Sequence, residues 1–474
     1  MQRISRQQAV LNVFKKCWQS YKTYAWLKDE LQPISAKSKN TFGGWAATLV
    51  DSLDALWIMG LKDDFYEAVE AAAGIDWEMT PDASCNMFEV NIRHLGGLLA
   101  AFDLSQEPVL LAKAVELGDM LHAGFDTPNH MPPFWFDFEK AKNGQLVADD
   151  HQISAAIGSF TLEFTRLSQI TGNPKYYDAI ARVTSVLIEH QASTQLPGMW
   201  PTFVNARNQT FLENSFTLGA LADSLYEYLP KMYYLLGGLE QAYEKAYRDS
   251  MATAIEHLLF RPMLPNNINV LVAGSATVVA GESTLNPEGQ HLSCFTGGMF
   301  ILGGKLFSLP EHVEIGARLT QGCIYAYNAF STGIMPEIFQ MRPCPSLEAC
   351  EWDGDRASEI LPEGFSSVSD RSYRLRPEAL ESAFILYRTT GDTELLDAAW
   401  RMFESIQAAT ETEYANAAID DVTITGKPSQ RDSMESFWFA ETLKYLYLIF
   451  SPPDLISLDD YVLNTEAHPL KRPK

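Results

Sequence analysis

The chain has 474 residues, with 60 acidic against 36 basic side chains and a formal charge of −24. Such a surface repels phosphate backbones and anionic headgroups, so nucleic acid and membrane surfaces are excluded as expected partners. The apolar share of 46% is that of an ordinary globular protein long enough to bury a large core, and no apolar run is long enough for a membrane-spanning helix.

The opening residues, MQRISRQQAVLNVFKKCWQSY, are too polar for a secretion signal. The chain is therefore expected either to be cytosolic or to have lost a targeting segment. The stretch FEVNIRHLGGLLAAF, from Phe88, has a helical apolar period. Glu89 and Arg93 stand four apart on one face. They are either an exposed pair or, given Phe88, Val90, Ile92 and Leu95 around them, a buried one. Next come SFTLEFTRLSQITG and TLGALADSLYEYLPKMYYLL, which carry Glu163, Asp223 and Glu227 on segments apolar nearly all round. The runs NNINVLVAG (266–274) and ATVVAG are expected as small hairpins in loops, and His291 follows them. In RLRPEALES, Pro377 suits a first helical position, and Glu378 and Glu381 follow three apart. Carboxylates also favour helix N-termini through the dipole, so this spacing has a bland explanation too. MESFWFAETLKYLYLIF sets Phe437 four residues before Glu441.

Two of these stretches resemble each other. LEFTRLSQITGNPKYYDA (162–179) and LESAFILYRTTGDTELLDA (380–398) both read as a helix, a Thr-Gly stop, an Asn or Asp restart and a second helix. Repeated hairpins without a low-complexity linker predict a single toroid of stacked helix pairs over residues 1–474. Ionisable residues (Glu89, Glu163, Asp223, His291, Glu337, Glu378, Glu441) recur roughly once per helix pair, on helices otherwise suited to burial. In an inner ring of such helices the carboxylates would converge on the axis. Buried unpaired carboxylates are costly, so a set of them points to function.

Other templates fail: there is no GxSxG, GxGxxG, Walker A or HExxH. WDGDRASE (352–359) lacks the spacing of a calcium loop and reads as an exposed acidic loop. The six cysteines, at 17, 85, 294, 323, 344 and 350, form no CxxC pair. Cys344 and Cys350 bracket a short loop and could bridge; the alternative is six separate buried thiols. The one sequon, Asn208-Gln209-Thr210, points only weakly to a secretory route.

The blocks GGWAATLVDSLDALWIMGL, FEVNIRHLGGLLAAF, FTLEFTRLSQITG, HLSCFTGG, LRPEALES, ESFWFAETLKYLYLIFS and NTEAHP occur in this order. Together they resemble the class I α-mannosidases, glycoside hydrolase family 47, from about Gln8 to His468. The resemblance implies an all-α (α/α)7 barrel with a β-hairpin plugging one end and the chain's last segment near it. It implies Ca²⁺-dependent, inverting removal of α-1,2-linked mannose from high-mannose N-glycans by a monomer in the secretory lumen or outside the cell. By position, Glu378 matches the base, and Glu89 and Asp223 the two candidates for the acid. Arg93, His291, Arg376 and Glu466, with the carboxylates Glu163, Glu227, Glu337, Glu381 and Glu441, match residues lining or surrounding the sugar site, and Phe437 its aromatic floor. Thr465 matches the residue that holds calcium, whose other positions are taken by water and sugar hydroxyls. Cys294 and Cys323 match the family disulfide, which implies an oxidising compartment and a signal removed from this chain. Leu221 stands where members that stop after one mannose carry Arg, so this chain is more similar to Golgi and secreted fungal members that trim toward five. Thr296 stands where many members have Asp.

Overall fold

The two stretches that resemble each other in sequence fold alike. Helix Thr161–Thr171 stops at Gly172 and helix Glu378–Thr390 at Gly391, each glycine left-handed (φ 68° and 73°), where a Cβ would add strain. In both, the threonine hydroxyl accepts the amide two residues on; Asn173 and Asp392 then accept the amides of Lys175 and Glu394 at 3.2 and 3.0 Å. These Asx contacts start helices Lys175–His190 and Glu394–Thr410, which pack back on the first pair members.

One helix pair cannot cover its own first helix, and the neighbouring pairs do so. The computed structural model describes residues 2–354 and 361–473. Among these, the inner segments are 47–58, 90–105, Thr161–Thr171, Asp223–Leu235, Phe295–Leu306, Glu378–Thr390 and 438–449. Each packs beside the next, and the last packs on the first, closing an (α/α)7 barrel. The outer ring consists of Lys62–Ala73, Pro108–Ala123, Lys175–His190, Gln241–His257, Pro310–Ala329, Glu394–Thr410 and the N-terminal helix Gln2–Tyr24, which packs on segment 438–449. Burial distinguishes the rings. Helix Glu378–Thr390 buries every residue from Glu378 to Leu386, whereas Lys175–His190 buries only Tyr176, Ala179, Ile180, Val183 and Leu187, at helical spacing.

Small sheets occupy the loops. ATVVAG falls in the expected hairpin, Ser275–Val279 with Glu282–Asn286. NNINVLVAG does not form a hairpin of its own: only Val272–Ala273 is a strand, and it pairs with Leu259–Phe260. Asn266 and Asn267 hold positive φ, which breaks the run before a strand can form. At the C-terminus, Tyr461–Leu463 pairs with Pro469–Lys471. The expected plug and the expected last segment are thus one element, which carries loop 464–468 into the barrel. Room for it comes from Gly96, where a Cβ would stand 2.6 Å from Asn464 Nδ2.

Cys294, at the start of an inner helix, bridges to Cys323 on the outer helix behind it, and Cys344 bridges to Cys350. Cys17 and Cys85 remain buried thiols, so the alternative of six separate thiols is overturned. The acidic stretch 352–359 lies largely outside the described residues.

Candidate active site

The polar tail is held by an apolar barrel only because each of its buried groups finds a partner. Asn464 does most of this. Its amide donates to Ile92 O at 2.9 Å and Glu163 Oε1 at 2.8 Å, and its carbonyl accepts the amides of Glu466 and His468. His468 lies between Asp54 (Nδ1, 2.9 Å) and Asp51 (Nε2, 2.9 Å). Lys444 donates to Asp54 and to Ala467 O, both at 2.8 Å. Asn464, His468, Asp51, Asp54 and Lys444 are all fully buried, where loss of one partner would strand the other. Opposite charges in this network raise the His468 pKa to about 9: burial opposes protonation, but Asp54 and Asp51 outweigh it.

Above this loop lies a cavity of about 320 Å³. Its floor and walls carry Glu89, Arg93, Asp223, Glu227, Arg376, Glu378, Glu381, Phe437, Glu441, Thr465 and Glu466; its mouth carries Leu221 and the apolar residues Phe88, Phe134, Ile153 and Leu292. Arg93 and Glu441 sit on π-helical turns, Val90–Leu95 and Trp438–Thr442, which re-aim side chains within otherwise regular inner segments. Leu221, Leu375 and Ala467 hold positive φ (75°, 64° and 57°) just before or within the segments that present Asp223, Arg376 and Thr465. Each such residue costs about 1–2 kcal/mol, offset by the surrounding packing.

Arg93 anchors one side. It donates to Glu89 at 2.8 Å, Glu466 at 2.9 Å and Ser436 at 3.1 Å, and Ser436 in turn donates to Asp51. Its guanidinium lies 5.8 Å from the Phe437 ring, as does that of Arg376. Arg376 donates to Glu337 at 2.8 Å and lies 3.6 Å from Glu378. His291 Nδ1 meets Glu378 at 2.8 Å, and its Nε2 meets the Tyr327 hydroxyl at 2.8 Å.

These contacts separate two carboxyl groups. Burial pushes Glu378 up, but the His291 hydrogen bond and the Arg376 charge hold it below the ordinary carboxylate range. Asp223 keeps some surface open to the cavity, yet its walls exclude enough water to raise it to about 7, with Glu227 and Glu378 adding repulsion. One group is thus kept ionised, while the other still holds its proton up to about pH 7. Around them burial and crowding raise Glu381 and Glu466 to about 8, and Glu441 well above its usual range.

Such crowding is what a divalent cation would relieve. The Thr465 amide donates to the Tyr228 hydroxyl at 3.2 Å, while its own hydroxyl and carbonyl accept nothing among the described residues. No three His, Cys, Asp or Glu side chains among the described residues form a ready ligand cluster. A floor of one free threonine with carboxylates around it fits a hard cation that keeps most of its waters.

Three expected wall residues lie one layer back. Glu163 is fully buried, accepts from Asn91, Tyr228 and Asn464, and is raised to about 7 by burial. His291 and Glu337 do not face the cavity; they hold Glu378 and Arg376. Radial depth along a side chain is not encoded in spacing, so the sequence presents all of them alike. Thr296 is also turned away, donating to Ser293 O. Lys231 was missed: it lies between Glu227 and Glu381 and bonds Glu227 four residues earlier, a spacing visible in the sequence. Asp51 and Asp54 were missed as well, as was Phe134, which sits in a loop without periodicity.

A closed helical barrel whose cavity holds two carboxyl groups with pKa values pushed apart, among further carboxylates, is the layout of a glycoside hydrolase site. The chain belongs to glycosyl hydrolase family 47, whose model it matches over residues 13–472. It is 36% identical over 477 residues to the human endoplasmic reticulum mannosyl-oligosaccharide 1,2-alpha-mannosidase, covering 98% of this chain and 64% of that protein. It is 33% identical over 491 residues to the mannosyl-oligosaccharide alpha-1,2-mannosidase of Coccidioides posadasii, covering 98% of this chain and 90% of that one. Among solved structures, the alpha-1,2-mannosidase from Trichoderma reesei superposes with a TM-score of 0.90 at 32% identity, covering 99% of each chain.

Proposed function

We propose that the chain is an inverting, calcium-dependent exo-α-1,2-mannosidase acting on high-mannose N-glycans. The observation that carries this reading is that Glu378 and Asp223 line one cavity with their pKa values pushed apart, Glu378 down and Asp223 up. Glu378 removes a proton from a water, whose oxygen bonds the anomeric carbon. The bond from that carbon to the leaving oxygen breaks, and Asp223 gives its proton to that oxygen. Asp223 is favoured over Glu89 as acid because Glu89 is bound to Arg93, whereas among the described residues Asp223 accepts only the Ser224 amide. His291 and Arg376 position Glu378, and Phe437 offers a ring face to the sugar. Bound Ca²⁺ would supply charge compensation and a template for sugar hydroxyls. Thr465 would hold it, with Glu381, Glu441 and Glu466 holding its waters.

The mouth supports trimming of several mannoses rather than one: Leu221, 42% exposed, places no cation across it. The two disulfides support an oxidising secretory or extracellular setting. The test is incubation with a nine-mannose glycan with and without a chelator. Release of several mannoses, lost on chelation and restored by Ca²⁺, is expected; no release overturns the activity, and release indifferent to chelation overturns the metal's role.

A further inference from the structure

The cavity, at about 320 Å³, is at the small end for a ligand pocket, so most of a nine-mannose glycan must lie outside it on the rim. One rim feature is unusual. Of ten tryptophans, Trp135 is the single exposed one, with 55% of its surface in water. It follows Phe134, whose ring lines the cavity mouth, and the two rings stand 5.8 Å apart and nearly perpendicular. The aromatic surface thus continues outward from the mouth. The indole N–H has no partner among the described residues, which leaves a donor available beside an open apolar face.

Its support is rigid. The Phe134 amide donates to Asp149 Oδ2 at 2.7 Å, and its carbonyl accepts the Met87 amide at 3.1 Å. Trp135 itself pairs with Asn86 across a short antiparallel ladder. Asn86 in turn accepts the Glu89 amide at 3.2 Å, so the same strand pair that carries Trp135 also sets the start of the segment presenting Glu89 and Arg93. A large ring fixed in this way loses little freedom on contact with a ligand.

We propose that Trp135 is a stacking platform for a mannose ring of the bound glycan outside the linkage being cut, making it a determinant of preference for large branched substrates over short ones. Pyranose C–H faces lie well on an aromatic ring, and the indole N–H can meet a hydroxyl at its edge. This rests on the mannosidase reading above, and the two are separable by experiment.

Rates are measured for wild type, Trp135→Ala and Trp135→Phe, Ca²⁺-loaded, on the nine-mannose glycan and on α-1,2-linked mannobiose. For Trp135→Ala, kcat/KM on the glycan is expected to fall about tenfold, chiefly through KM, with the disaccharide within about twofold of wild type. Trp135→Phe is expected to keep most of the glycan rate. An equal loss on both substrates overturns the proposal, because it would make Trp135 a prop for Glu89; so does an unchanged glycan rate. If wild type cleaves neither substrate, the mannosidase reading has failed. Calorimetric titration with the same glycan then decides the platform: weaker binding by Trp135→Ala supports it, and equal binding overturns it.

Discussion

Glu378 and Asp223 are both acids on helix starts, and their surroundings assign them different work. Replacing Glu378 with Gln keeps size and the His291 contact, so glycan binding should persist while kcat falls by about 10²–10⁴. Near-normal turnover in single-turnover assays would move the base elsewhere. For the pH profile the signs are fixed by the shifts. Asp223, raised to about 7, must be protonated to act, so kcat/KM should fall as pH rises through about 7. Glu378, held low, must be ionised, so the acid limb should appear only below the ordinary carboxylate range. Asp223→Asn should lose most activity and remove the alkaline limb from what remains; a limb that persists would return the acid role to Glu89. These residues were legible because a carboxylate on a helix apolar all round stands out. What spacing could not convey was depth: Glu163, His291 and Glu337 follow the same rhythm yet lie behind the wall.

The terminal hairpin shows what a whole element contributes. Sequence alone offers a polar tail, and order comes only from groups contributed by distant segments: Asp51, Asp54, Ile92, Glu163 and Lys444. No local pattern could reveal those partners. The π-helical turns that aim Arg93 and Glu441 are equally hidden, since their residues read as ordinary helix. The folded His468 pKa, about 9, exceeds the unfolded value near 6.5, so its contribution is present in full below about 6.5 and lost as pH rises through about 9. That shift corresponds to on the order of 3 kcal/mol. In chelated protein, Tm should therefore fall between these pH values, and His468→Gln should have a lower Tm with a flatter dependence; parallel curves would remove His468 from the network. Truncation before Asn464 should abolish both calcium-induced stabilisation and turnover, read by thermal shift and mannose release.

At the scale of the molecule, the barrel explains the charge excess only in part: several carboxylates converge on one floor, while others lie on outer helices. The toroid was visible in the sequence through the repeated Thr-Gly stops at 171–172 and 390–391, because a left-handed cap and an Asx restart have local chemistry. Ring closure was not, since it depends on contacts between the first helix and the last. The central claim is that Glu378 and Asp223 act on opposite sides of one anomeric carbon. Proton NMR of the mannose first released from the nine-mannose glycan, recorded before mutarotation, tests it directly. The β-anomer is expected from inversion by a water on the face opposite the leaving group; first release of the α-anomer, or of no mannose, would contradict it.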